Sequence, residues 1–267
     1  MRTLLFLTAL LYCTITWAQA PESFVDKDSK LYGFKDKSGK IIVPAKFKAI
    51  QHFSEGLAAV KLEDQWGYID EKGTMQISPQ FNEAHAFSEG LASVGRPGKR
   101  ENVYGKKPEY GYIDKQGNLV LNYKYDMANN FKNGYAVVGY TTDYTTTYGA
   151  INKKGEEVIP VAYSVVNNFS EGYFQAATGD ISSYKGKYGF LDVNNKIAVP
   201  FIYEDASWFV EGLASVKLGG KWGFIDPKNN TVIPFQYDGP SYFEKGKAEV
   251  QKDGKTFFID KKGAKLK

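Results

Sequence analysis

The sequence predicts an all-β chain made of tandem antiparallel units. Three observations carry that expectation. Aromatic content reaches 15%, with 19 Tyr and 18 Phe beside 27 Gly and only 3 Met. A set of landmarks recurs about every 34 residues. Turn-forming residues stand at fixed places between the landmarks. Aromatic side chains suit the pleated, half-buried surface of a sheet, and glycine suits tight turns. The 43% hydrophobic and 24% charged fractions are those of a globular chain.

Residues 1–18 differ from the rest. Arg2, an apolar run from Leu4 to Ile15 and the small-residue stretch Ala18-Gln19-Ala20 have the layout of a secretory signal, with cleavage expected after Ala18. The run falls short of the roughly 20 residues that span a bilayer, so no membrane span is expected in the mature chain, 19–267. Cys13 is the only cysteine. Tyr12 precedes it, where a lipoprotein signal needs a small residue. Once the signal is removed there is no thiol, which excludes disulfides, thiolate metal ligands and cysteine nucleophiles.

The period is set by a glycine that follows an aromatic residue: Gly33, Gly67, Gly111, Gly149, Gly189 and Gly223. Six residues after each anchor comes Gly or Asn, twenty after always Phe (Phe53 to Phe243), and twenty-three after always Gly. A seventh, partial unit starts at Thr256. The anchor opens a short strand such as Trp66-Gly67-Tyr68-Ile69-Asp70, and Asp70-Glu71-Lys72-Gly73 reads as a hairpin turn, with Gly at positive φ. Asn195 and Asn229 fit the same place, since Asn also tolerates it. The second strand is expected to stop at Pro44, Pro160, Pro200 or Pro234, because proline lacks the ladder donor. A loop then passes through Ser-Glu-Gly into a third strand such as Leu57-Ala58-Ala59-Val60, giving three strands per unit. Phe24-Val25 stands where a third strand belongs, ahead of the first anchor. Seven such units are expected to form an open, solenoid-like array, with a closed seven-unit β-propeller as the alternative.

The anchors are spaced by 34, 44, 38, 40, 34 and 34 residues. The extra length lies in one connector, from third strand to first, at 95–109, 139–147 and 177–187. Equivalent loops of a repeat array project from one edge, so three successive units are expected to present long loops side by side.

The segments Trp66-Gly67-Tyr68-Ile69-Asp70 and Trp222-Gly223-Phe224-Ile225-Asp226, with the recurring Phe-Ser-Glu-Gly-Leu-Ala, resemble the WG-repeat family of bacterial proteins. Tyr replaces Trp in four copies and Thr256 in the last. The resemblance covers nearly all of the mature chain. It implies β-rich repeats, often exported, with no common enzymatic activity.

The residue types point away from several chemistries. Asp36, Asp70, Asp114, Asp192, Asp226 and Asp260 precede Gly or Asn by three residues, which marks a turn, and Asn152 takes the same place once. Glu55, Glu89, Glu171 and Glu211 precede the second turn glycine and read as turn or loop capping. His52 and His85 occupy non-equivalent positions without further ligands, so no metal site is expected. No catalytic residues and no cofactor are expected: the sequence holds neither a Gly-x-Ser-x-Gly setting nor a phosphate-cradling loop. The net charge of +4 is spread along the chain, which gives no basis for nucleic-acid binding. Binding residues are expected on the long loops, at Arg96, Lys99, Arg100, Tyr104, Tyr140, Tyr144 and Tyr184, since Tyr offers contact area at low entropic cost. These rings could equally pack onto their own hairpins. The resulting expectation is a non-catalytic binding or scaffold protein, periplasmic, outer-surface or secreted, whose partner is another envelope or extracellular protein. A glycan-binding module using the loop tyrosines is the alternative. A hydrolase drawing two acids from Glu101, Glu109, Asp143 and Asp180 comes third.

Overall fold

The computed structural model describes residues 20–102, 105–142, 145–183 and 185–266, apart from the side chains of 100–102. The expected signal peptide lies outside the described residues. All regular structure within them is β, and among them no helix is long and apolar enough to cross a membrane.

The strands form seven antiparallel sheets in chain order. The first is β1 (Glu22–Val25), β2 (Tyr32–Lys35) and β3 (Ile41–Phe47). The second is β4 (Ala49–Ile50), β5 (Leu57–Leu62), β6 (Gln65–Asp70) and β7 (Met75–Phe81); the third is β8 (Glu83–Ala84), β9 (Ala92–Asn102), β10 (Gly105–Ile113) and β11 (Leu119–Tyr125). The fourth holds β12 (Met127–Ala128), β13 (Tyr135–Thr141), β14 (Thr146–Asn152) and β15 (Glu157–Tyr163). The fifth holds β16 (Val165–Val166), β17 (Tyr173–Thr178), β18 (Lys187–Asp192) and β19 (Ile197–Tyr203). The sixth holds β20 (Asp205–Ala206), β21 (Ala214–Leu218), β22 (Lys221–Ile225) and β23 (Thr231–Tyr237), and the seventh β24 (Lys247–Lys252) and β25 (Lys255–Asp260). Phe24 pairs with Gly33 as Val60 pairs with Gly67, so β1 occupies the third-strand place ahead of the first anchor.

Two expectations are corrected. The complete units contain four strands, because two residues before each Phe loop pair briefly with the next long strand, as Ala49 and Ile50 do with Lys61 and Val60. A two-residue strand leaves almost no periodic signal. Proline, moreover, does not end the second strand. Strand β7 runs through Pro79, and β3, β15, β19 and β23 run through Pro44, Pro160, Pro200 and Pro234.

The reason is a bulge. Trp66 pairs with Phe81 and Tyr68 with Ile77, so Gly67 alone faces residues 78–80. Proline in a bulge on an edge strand gives up no ladder hydrogen bond. The bulged backbone presses onto the anchor: a β-carbon at Gly67 would lie 2.5 Å from the Ile77 carbonyl oxygen and 2.8 Å from the Pro79 nitrogen. The anchor is glycine because nothing larger fits.

Strand alternation then builds the core. Tyr68 faces forward, into a cluster with Phe87, Val94 and Ile113 of the third sheet, while Ile69 faces back, into one with Phe34, Val43 and Phe47 of the first. Each of the six buried clusters among the described residues joins one sheet to the next. An edge-to-face or tilted aromatic pair marks these seams, for example Tyr68 with Phe87 at 4.9 Å and Phe190 with Phe209 at 4.6 Å. Where Ala150 lacks the ring, Tyr135 and Phe174 close around Phe169 instead, at 4.8 and 5.0 Å.

Candidate binding edges

The topology sorts the loops onto two opposite edges. The β5–β6 hairpin and its counterparts lie at one end of the strands. The Phe-Ser-Glu-Gly loops lead into the opposite end of β5, where the Asp turn between β6 and β7 also sits. Both turn expectations hold. Asp70 accepts the amides of Lys72 and Thr74 at 2.9 and 2.8 Å, and Asp36, Asp114, Asn152, Asp192, Asp226 and Asp260 accept the same two amides of their own turns. Acceptance of the Asn230 amide group and backbone amides holds the Asp226 carboxyl below its ordinary value. These carboxylates are occupied in turn geometry.

All three insertions fall on the hairpin edge. The first lengthens β9 and β10 into a ladder that still pairs Lys106 with Glu101 and Gly105 with Asn102. The second lengthens β13 and β14, and the third is a loop closed by Asp180, which accepts the amides of Ser182 and Ser183. Neighbouring hairpins touch: the Lys107 ammonium donates to the Thr141 carbonyl. Tyr104, Tyr144, Tyr184 and the Arg100 side chain lie outside the described residues. Arg96 lies along the hairpin, 3.1 Å from Glu109, with its guanidinium 4.3 Å above the Tyr123 ring. Tyr140 packs against Tyr125 of the preceding sheet, with centroids 5.4 Å apart, beside the cluster that joins the third and fourth sheets. Lys99 is exposed.

The opposite edge carries interactions that the turn reading missed. Glu55, Glu89, Glu171 and Glu211 adopt φ of 53°, 54°, 48° and 51°. With the glycine that follows, each makes a two-residue hairpin turn with positive φ at both positions. Their carboxylates reach into the next sheet. Glu55 takes the Gly90 amide at 3.1 Å and Lys115 at 3.2 Å; Glu89 takes Gly134 and Lys153, both at 3.0 Å; Glu211 takes Gly246 and Lys261, both at 3.0 Å. Pro227 stands where the lysine belongs in the sixth sheet, and Glu171 there binds two amides, of Glu211 and Gly212. The serine before the glutamate also crosses the seam. Ser54 donates to the Phe87 carbonyl, Ser88 to Phe131 and Ser170 to Phe209, at 2.6, 2.6 and 2.8 Å. Phe-Ser-Glu-Gly is thus a clasp between units as well as a turn.

His85 sits beneath this edge. Its Nδ1 lies 2.7 Å from the Ser93 hydroxyl, its ring stacks on Tyr110, and burial lowers its pKa against the opposing pull of Glu83. A cleft of about 400 Å³ opens beside it, lined by Ser88, Asn129, Asn130, Lys132 and Asn168 among others. Among the described residues no group of three or more His, Cys, Asp or Glu side chains is arranged to hold a metal ion.

The family profile described as "WG containing repeat" matches residues 32–66, 66–95, 110–139, 148–180, 188–222 and 222–255. The chain belongs to the WG-repeat family. No curated protein is significantly similar to this WG-repeat chain. Solved structures are distantly alike. Oligopeptidase B from Leishmania major shares 10% identity at a TM-score of 0.46, covering 91% of this chain and 43% of its own. Acylaminoacyl peptidase from Pyrococcus horikoshii shares 10% identity at a TM-score of 0.43, covering 92% of this chain and 49% of its own. The β-propeller domain of the Trilobed protease from Pyrococcus furiosus shares 10% at 0.41, covering 92% of both chains. This WG-repeat chain therefore spans about half the length of the two peptidases, and likenesses this slight say nothing of what it does.

Within the WG unit, the position just before the invariant Phe escaped the sequence reading. It holds His52, Ala86, Asn130, Asn168, Trp208 and Tyr242. Trp208 and Tyr242 are 51% and 58% exposed. Without a backbone these residues look like ordinary loop variation; the signal was that they vary between two fixed landmarks.

Proposed function

We propose that this WG-repeat protein is an exported, non-catalytic scaffold that binds another envelope or extracellular protein along the edge of elongated hairpins. The contact between Lys107 and the Thr141 carbonyl carries the reading, since it fastens two successive hairpins into one surface. Exposed Lys99 and Lys106 give that surface a basic character. Residues held in place before binding lose little entropy on it, and anchoring by fixed cations and rings suits a protein partner.

We further propose that the seven sheets form an open array. Three-stranded and two-stranded sheets at the two ends, and core clusters that each join sequence neighbours, support it. Export rests on the layout of residues 1–18.

The test is capture from an envelope extract with the mature chain, beside a variant whose three long hairpins are trimmed to the 34-residue unit. Loss of a captured protein on trimming is the expected result, and equal capture by both would sink the reading. Amino-terminal sequencing of the envelope-borne protein should begin at Gln19.

A further inference from the structure

The glycine-turn edge carries a second, chemically distinct surface. Two clefts lie side by side there, of about 400 and 180 Å³, sharing Lys132 and Asn168. Together they make a trough that crosses successive units, from His85 and Ser88 of the third sheet to Trp208 of the sixth. Its volume falls in the range of about 300–1,000 Å³ typical of small-molecule sites.

The lining is unusual in kind. Asn129, Asn130, Asn133, Asn167 and Asn168 line it, the Nδ2 groups of Asn133 and Asn167 already donating to the Phe169 carbonyl and to Gln175, and neither cleft is lined by a carboxylate. A carboxamide offers a donor and an acceptor side by side, the spacing that paired hydroxyl groups present. The Asn130 Oδ1 is buried without a hydrogen-bond partner, and rotation of this amide toward a ligand donor would relieve an otherwise costly unpaired acceptor. At the far end Trp208, 51% exposed, offers a large apolar ring to solvent at the same unit position that Asn130 and Asn168 fill. A flat apolar ring beside a row of amides matches a pyranose, which has an apolar C–H face and a rim of hydroxyls. The charge is nearly absent: Lys132 contributes one cation, and burial favours the neutral form of His85.

From this arrangement we infer that the trough of Asn129, Asn130, Asn167, Asn168 and Trp208 binds a linear, neutral oligosaccharide, its rings laid across successive units. Asn130 and Asn168 accept and donate hydrogen bonds to ring hydroxyls, and Trp208 stacks on one ring. The site is on the opposite edge from the elongated hairpins and does not depend on them.

The test is titration of the mature protein with cellohexaose, chitohexaose, maltohexaose and mannohexaose, followed by calorimetry and by tryptophan emission. Saturable binding of at least one is expected, insensitive to salt, with Trp208→Ala and Asn130→Ala each weakening it about tenfold or more. Trp208→Tyr should retain most of the affinity, which separates loss of stacking from loss of fold. The hairpin-trimmed variant should bind the sugar unchanged even if it no longer captures a protein, so the two readings fail independently. Absence of binding by all four up to about 10 mM, or binding that survives both alanine substitutions, overturns the inference.

Discussion

Glu211 of the sixth sheet and Lys261 of the seventh are held 3.0 Å apart across the seam between their units. The same Glu211 oxygen accepts the Gly246 amide, and the lysine also donates to the Glu211 carbonyl. An exposed ion pair alone adds little stability. Here the pair closes a clasp whose other arm is a backbone amide that would otherwise face water at the end of a sheet. Glu211 holds this place despite a positive φ, a conformation that non-glycine residues seldom adopt.

Substitution of Glu89 tests the clasp. Glu89→Asn keeps a residue tolerant of positive φ but withdraws the reach to Gly134 and Lys153. A stability loss of about 0.5–1 kcal/mol is expected by chemical denaturation, with Lys153→Ala costing less on that background than alone, since only its bond to the residue-89 carbonyl is left to lose. Additive losses would show that the two residues act separately.

The anchor glycine admits no side chain. Gly67→Ala drives a β-carbon into the Ile77 carbonyl and the bulge, and a loss of about 2–4 kcal/mol is expected, larger for Gly67→Val. Gly56→Ala meets no such contact and loses only what its positive φ costs, about 1–2 kcal/mol. Equal losses at the two sites would contradict the close-approach explanation.

The sequence showed the period, the strands, the Asp turns and the connector that takes the insertions, because each leaves one residue type at one place. It could not show the fourth strand, since two paired residues have no period. It misread proline as a stop because the bulge that accommodates Pro79 depends on the glycine of the neighbouring strand. Glu89 and Ser88 looked local for the same reason: their partners Gly134 and Phe131 are more than forty residues away. The trough was illegible because the position of Trp208 and Asn130 has no residue type in common.

Acid should loosen the seams. Glu211 has its carboxyl lowered chiefly by Lys261 and further by the Gly246 amide; in Glu55 and Glu89 burial is the largest single effect and opposes the shift, but hydrogen bonds from Lys115 and the Gly90 amide, and from Lys153 and the Gly134 amide, together outweigh it. A carboxyl with a depressed folded pKa contributes stability that is present above the unfolded value of about 4.3 and disappears as pH falls through the folded one. The melting temperature should therefore hold steady from about pH 7 to 5 and fall below about pH 4, less steeply in Glu55→Gln/Glu89→Gln/Glu211→Gln.

Alkali should act through the core. Burial raises the phenols of Tyr68 and Tyr112. A group whose folded pKa is raised contributes stability that is fully present below the unfolded value, about 10 for tyrosine, and is lost above it. Unfolding between about pH 10 and 12 should coincide with the release of tyrosinate absorbance at 295 nm, as a cooperative step. Smooth titration at constant melting temperature would contradict the burial of these rings.

The most direct measurement is site-resolved hydrogen exchange on Phe87→Ala. Phe87 fills the seam between the second and third sheets, and its removal should cost about 3–5 kcal/mol. If each unit is held by its neighbours in an open array, protection falls in the strands on either side of that seam, β5, β6, β9 and β10, and persists in β21 to β25. A uniform loss of protection across all seven sheets would contradict the account.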